Sequence, residues 1–132
     1  SQWVLEKIEQ KINSFAEIKH TGIPLKIACF GLTYKADIDD LRESPALFIV
    51  ASLSKKYSGS ISVVDPWVKC LPESLSTCEV ALMEMEEALA WADMAVFLVA
   101  HQKFKMIPFS QYVNLHCIDF TGIILGARDG YQ

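Results

Sequence analysis

Val4, Leu5, Ile8, Ile12 and Phe15 recur at helical spacing, while Glu6, Lys7, Glu9, Gln10 and Lys11 fill the opposite face. This periodicity predicts an amphipathic helix over residues 3–18. Thr21-Gly22-Ile23-Pro24 breaks the pattern, and Lys26 to Gly31 then reads as an unbroken apolar strand that stops at a glycine. A polar stretch from Thr33 to Glu43 follows. Ser44-Pro45 supplies a helix N-cap and a proline at the first helical position, where its missing N–H costs nothing. Ala46, Leu47, Ile49, Val50 and Leu53 then mark the buried face of a helix running to about Tyr57, which Ser58-Gly59-Ser60 ends.

Ile61 to Asp65 is a second strand that closes on Asp65-Pro66. A short strand is expected around Thr77 to Ala81. Glu84, Glu86 and Glu87 open a helix that ends near Trp91-Ala92, with its acidic residues placed to favour the helix dipole. Met94 to Val99 and His116 to Asp119 complete the strands. Strands that are apolar throughout need cover on both faces, so the alternation of strand and helix predicts an α/β domain with a mainly parallel sheet behind a leading amphipathic helix.

The chain has 132 residues, 52% of them hydrophobic, and its mean hydropathy of +0.24 marks a folded domain with a substantial core. Its net charge of −4 and pI near 5.3 argue against a surface built for nucleic acid. The strongest apolar run, 94–100, is far shorter than the roughly 20 residues that a membrane span requires. No apolar signal segment opens the chain. Cys29, Cys70, Cys78 and Cys117 show no CxxC pairing or zinc spacing, which points to reduced thiols in a cytoplasmic protein without a metal site.

Ligands of open parallel sheets bind beyond the carboxyl ends of the strands, so the loop after the first strand carries the most interest. From Gly31 to Pro45 it brings together Tyr34, Lys35, Asp37, Asp39, Asp40 and Arg42 just before a helix N-terminus. One reading is a phosphate-bearing ligand held by Lys35 and Arg42. The other is a solvated crossover in which Asp39 or Asp40 pairs with Arg42. Neither a Walker loop nor a GxGxxG dinucleotide turn is present. Asp65 stands where a dinucleotide fold would grip a ribose, but without the glycine turn it reads better as a turn-forming Asp-Pro. His101 falls at the ligand-facing edge and reads as structural, while Trp67, Trp91 and Phe104 read as core.

The segments from Lys26 to Lys35 and from Asp37 to Ala46, followed by Val63 to Pro66, Leu82 to Asp93 and His101 to Lys105, resemble the C-terminal UDP-binding domain of the UDP-glucose/UDP-N-acetyl-D-mannosamine 6-dehydrogenase family. The resemblance implies a Rossmann-like, doubly wound fold. Residues 1–20 would be the end of the family's central linking helix and residues 21–132 the UDP-sugar domain. It also implies two-step NAD-dependent oxidation of a sugar C6 alcohol, of the UDP-N-acetylmannosamine type, with NAD and a catalytic cysteine held by other domains. This chain alone would then carry no catalytic residue and no cofactor. Tyr34 and Lys35 would contact the UDP-sugar, Lys35 near the diphosphate, and Arg42 would reach the NAD of a neighbouring subunit across a homodimer.

One departure stands out. Where the family places a Lys or Arg after the last strand, this chain has Thr121, and Arg128 is a candidate replacement. Loss of that cation would cost about 1.5 to 3 kcal/mol of ligand binding. The departure motivates an alternative, a free-standing interaction module that kept the fold and lost the ligand. Its contact surface would be the apolar face of the first helix.

Overall fold

A computed structural model describes residues 2–19 and 24–122. Arg128 and the tail from Leu125 lie outside the described residues, as does most of the break around Thr21. The elements run α1 (Gln2–Lys19), β1 (Ile27–Phe30), α2 (Pro45–Lys56), β2 (Ile61–Val64), β3 (Val80–Leu82), α3 (Met85–Trp91), β4 (Met94–Phe97), α4 (Gln102–Lys105) and β5 (His116–Asp119). Their strands form one five-stranded sheet in the order β3-β2-β1-β4-β5, and every neighbouring pair is parallel. The third strand begins three residues later than its sequence suggests, and α4 is an added single turn.

Strand alternation divides the core in two. Ile27, Cys29, Ile61, Val63, Met94, Val96 and Ile118 face α1 and α2, where they meet Leu5, Ile8, Ile12, Ile49, Val50 and Leu53. On the other face Ala28, Phe30, Ala95, Phe97 and Cys117 pack against Ala88 and Leu89 of α3 and Phe104 of α4. Helices on both faces make the sheet doubly wound, as the continuous apolar strands require. The apolar stripe of α1 is therefore spent inside the domain, with Ile8 fully buried. This corrects the expectation that it offers a contact surface.

Capping follows the sequence closely. The Ser44 hydroxyl accepts from the Leu47 N–H at 3.2 Å and donates to the Leu32 carbonyl at 2.7 Å, so one side chain starts α2 and ties it to the β1 exit. On the opposite face Phe30 stacks on Phe97 with ring centroids 4.6 Å apart, and Phe104 meets both rings edge-on. This aromatic wedge fixes α4, and with it His101 at the helix's start, against the sheet.

Candidate functional site

The strand order reverses between β1 and β4, and the two chains leaving that point are forced together. Gly31 follows β1 with φ +109, and a Cβ there would lie 2.5 Å from Val99 Cβ and 2.7 Å from Val99 N. Only glycine fits that approach. The register sets Phe30 level with Val64, so Asp65 emerges beside Gly31 and can address the first turn of the β1–α2 loop.

It does so with one oxygen and braces its own turn with the other. Asp65 Oδ2 accepts from the Leu32 N–H at 2.7 Å and the Thr33 N–H at 3.2 Å, and Oδ1 accepts from the Trp67 N–H at 2.8 Å. His101 Nε2 lies 2.9 Å from the same Oδ2, and both side chains are sealed from solvent. Burial pushes the Asp65 carboxyl up, but the donors from His101, Leu32 and Trp67 outweigh it and hold the group below its ordinary value. The carboxylate is sealed from solvent and committed to the chain's own donors, so it is not presented to a ribose.

The His101 protonation state follows from its partners. Nδ1 accepts the backbone N–H of Asp37 at 2.9 Å, and an amide can only donate, so Nδ1 carries the lone pair. The ring is neutral, with its proton on Nε2 directed at Asp65 and at the Thr33 hydroxyl oxygen 3.2 Å away. The Thr33 hydroxyl in turn donates a hydrogen bond to the Lys35 carbonyl at 3.2 Å. Asp37 adopts φ 58, and its Oδ1 accepts from the Gln102 N–H and, at 3.4 Å, from the Trp67 indole. The loop is thus pinned on either side of Tyr34 and Lys35, which are themselves exposed.

Arg42 lies further along the same loop. Its Nε and terminal nitrogen meet Asp40 Oδ1 and Oδ2 at 3.0 and 2.9 Å in a bidentate pair that leaves the arginine 89% exposed. The guanidinium holds the Asp40 carboxyl at about 2. Of the two readings of this loop, the pairing with Asp40 is present, and the partnered arginine still faces solvent.

Thr121 turns back on the last strand: its N–H and hydroxyl both donate to Asp119 Oδ1. A cavity of about 510 Å³ opens elsewhere, between the loops after β2 and β3, bounded by Asp65, Lys69, Glu84 and Lys103. Tyr34 and Lys35 do not line it. Among the described residues no cluster of His, Cys, Asp and Glu is arranged to hold a metal, and no helix is long and apolar enough to cross a membrane. The chain's own β1 exit does not fit NAD: its single glycine gives no dinucleotide turn, and the carboxylate placed for a ribose is sealed from solvent against His101.

Phe104 is core as expected, whereas Trp67 is half exposed and braces Asp37. What sequence reasoning missed is the Asp65–His101 pair. Each residue was visible at the end of its strand, but their joint action depends on the β1–β2 and β1–β4 registers.

A doubly wound parallel sheet with an aromatic and cationic loop at its switch point defines an α/β domain of the nucleotide-binding class. Residues 28–124 match the family model for the UDP-binding domain of the UDP-glucose/GDP-mannose dehydrogenase family, and the chain belongs to that family. It is 42% identical over 121 residues to an NDP-N-acetyl-D-galactosaminuronic acid dehydrogenase of Ralstonia solanacearum, a match covering 92% of this chain and 26% of the relative. With a UDP-N-acetyl-D-mannosamine dehydrogenase of Salmonella typhi it shares 38% identity, over 92% of this chain and 29% of the relative. Among solved structures, a UDP-N-acetyl-mannosamine dehydrogenase from S. aureus superposes with a TM-score of 0.66 at 27% identity, over 92% of this chain and 26% of that one. The chain therefore spans less than a third of the length of these relatives.

Proposed function

We propose that this chain is the UDP-sugar-binding portion of an NAD-dependent nucleotide-sugar 6-dehydrogenase of the UDP-N-acetylmannosamine type. The carrying observation is that Tyr34 and Lys35 stand exposed on a loop whose flanking residues Thr33 and Asp37 are held by the buried Asp65 and His101. A ligand meeting such a loop pays little ordering entropy. Lys35 places a mobile positive charge where a diphosphate can be met, and Tyr34 offers an aromatic face and a hydroxyl for the base or ribose.

The chemistry belongs to the assembled enzyme. NAD would supply the hydride acceptor from another domain, and this chain's residues would bind and orient the nucleotide. Arg42, exposed yet held in shape by Asp40, would extend toward the cofactor of a neighbouring subunit in a homodimer. Thr121 contributes a hydroxyl already used by Asp119, so the diphosphate would depend more heavily on Lys35 than where a second cation is present.

The alternative interaction module loses its stated surface, because the apolar stripe of α1 is buried. A titration of UDP into the labelled chain, followed by amide NMR, tests the reading. Shifts concentrated over residues 32–42 support it. Shifts confined to the cavity residues Val68, Lys69 and Met83, or none at millimolar UDP, contradict it.

A further inference from the structure

His101 is fully buried and takes no direct part in the ligand contacts proposed above, yet it joins three segments. Through Nε2 it reaches Asp65 and Thr33, through Nδ1 it holds the Asp37 amide, and its ring packs edge-on against Phe104. The Asp37 tether requires a lone pair on Nδ1. A protonated ring would oppose N–H to N–H there.

We propose that neutral His101 is a positioning residue for the nucleotide loop, and that proton uptake at Nδ1 weakens UDP-sugar binding by releasing Asp37. The inference rests on the reading that Tyr34 and Lys35 contact the nucleotide. Among the described residues two titratable groups face the ring: Asp65 after β2, at 2.9 Å from Nε2, and Asp37 in the β1–α2 loop, whose Oδ1 lies 3.8 Å from Nδ1. From α4 the ring meets Phe104, which carries no charge. The nearby Asp37 carboxylate gives a protonated Nδ1 somewhere to turn. Donation to Oδ1 would compete with the Gln102 N–H and the Trp67 indole that now hold it, and would swing the Asp37 backbone out of its φ 58 conformation. The same proton would thus exchange one loop geometry for another without removing the partner at Asp65.

Only the neutral fraction binds in this scheme, so below the ring's midpoint in the free protein the apparent Kd rises about tenfold per pH unit. The test is calorimetric titration of UDP-N-acetylmannosamine between about pH 8 and pH 5.5, where its diphosphate diester does not titrate, into the wild type, His101→Asn and His101→Gln. Asn places an acceptor near the Nδ1 position, and Gln places a donor near Nε2. Neither titrates. The expected result is affinity that falls with acidification in the wild type and is flat in both variants, with Asn retaining more of the pH 8 affinity than Gln. Equal slopes in all three overturn the positioning role while leaving nucleotide binding intact. Absence of binding by the wild type at every pH overturns the nucleotide reading, and this inference with it. Nitrogen-15 shifts of the wild-type ring provide a check that needs no variant to fold: a protonated Nδ1 in the UDP-sugar complex contradicts the proposal.

Discussion

His101 Nε2 and Asp65 Oδ2 lie 2.9 Å apart in a site closed to water, and together they hold the backbone of the loop that presents Tyr34 and Lys35. Two residues from the ends of different strands thereby set the shape of a third element. The sheet register brings them together, and the aromatic wedge of Phe30, Phe97 and Phe104 keeps α4 in place behind them.

Removing the carboxylate strands several buried donors at once. Asp65→Ala is expected to destabilise the fold by about 3 to 5 kcal/mol, and Asp65→Asn, which keeps one acceptor, by clearly less. Urea denaturation at neutral pH measures both.

The same group gives stability a pH dependence of defined sign. Asp65 binds its proton less readily when folded than when unfolded, so its contribution is full above the unfolded carboxyl value of about 3.9 and is lost as pH falls through the lower folded value. Stability measured downward from pH 6 should fall more steeply in the wild type than in Asp65→Asn.

Gly31 and Gly59 both have positive φ, but only one is also crowded. Gly31→Ala would drive a Cβ into the Val99 backbone and should cost more than about 3 kcal/mol. In Gly59→Ala the new Cβ meets only Glu79 Oε1 at 3.6 Å, leaving conformational strain of about 1 to 2 kcal/mol. Paired denaturation curves separate the two effects.

Thiol labelling should follow burial. The Cys29 thiol is pushed up to about 12 by its surroundings and lies on the covered strand β1, whereas Cys70 is exposed. Under native conditions an alkylating reagent should modify Cys70 within minutes and reach Cys29 and Cys117 only at the rate of unfolding. Mass spectrometry of timed digests reads the order.

Much of this was legible in the sequence because it is written locally. The period of α1, the Ser44-Pro45 start of α2 and the apolar runs of β1, β2, β4 and β5 each follow from neighbours in the chain, and the structure places them within a residue or two. β3 was displaced because its apolar residues Val80 to Leu82 form only a three-residue edge strand, too short for a period of two to fix where it begins. The loop from Gly31 to Pro45 was also legible, from its composition. The role of Asp65 was not, since a carboxylate before proline reads as a turn until the register sets it beside Leu32. His101 looked like an isolated histidine for the same reason: its partners lie 36 and 64 positions away.

The central claim is that Lys35 and its braced loop bind a nucleotide diphosphate, and the most direct measurement is calorimetric titration of UDP into the wild type and Lys35→Ala at low salt. Binding by the wild type that the substitution weakens by about 1.5 to 3 kcal/mol, roughly tenfold to 150-fold in Kd, is the predicted result. Equal affinity in both proteins, or no heat from folded wild type at millimolar UDP, would contradict the account.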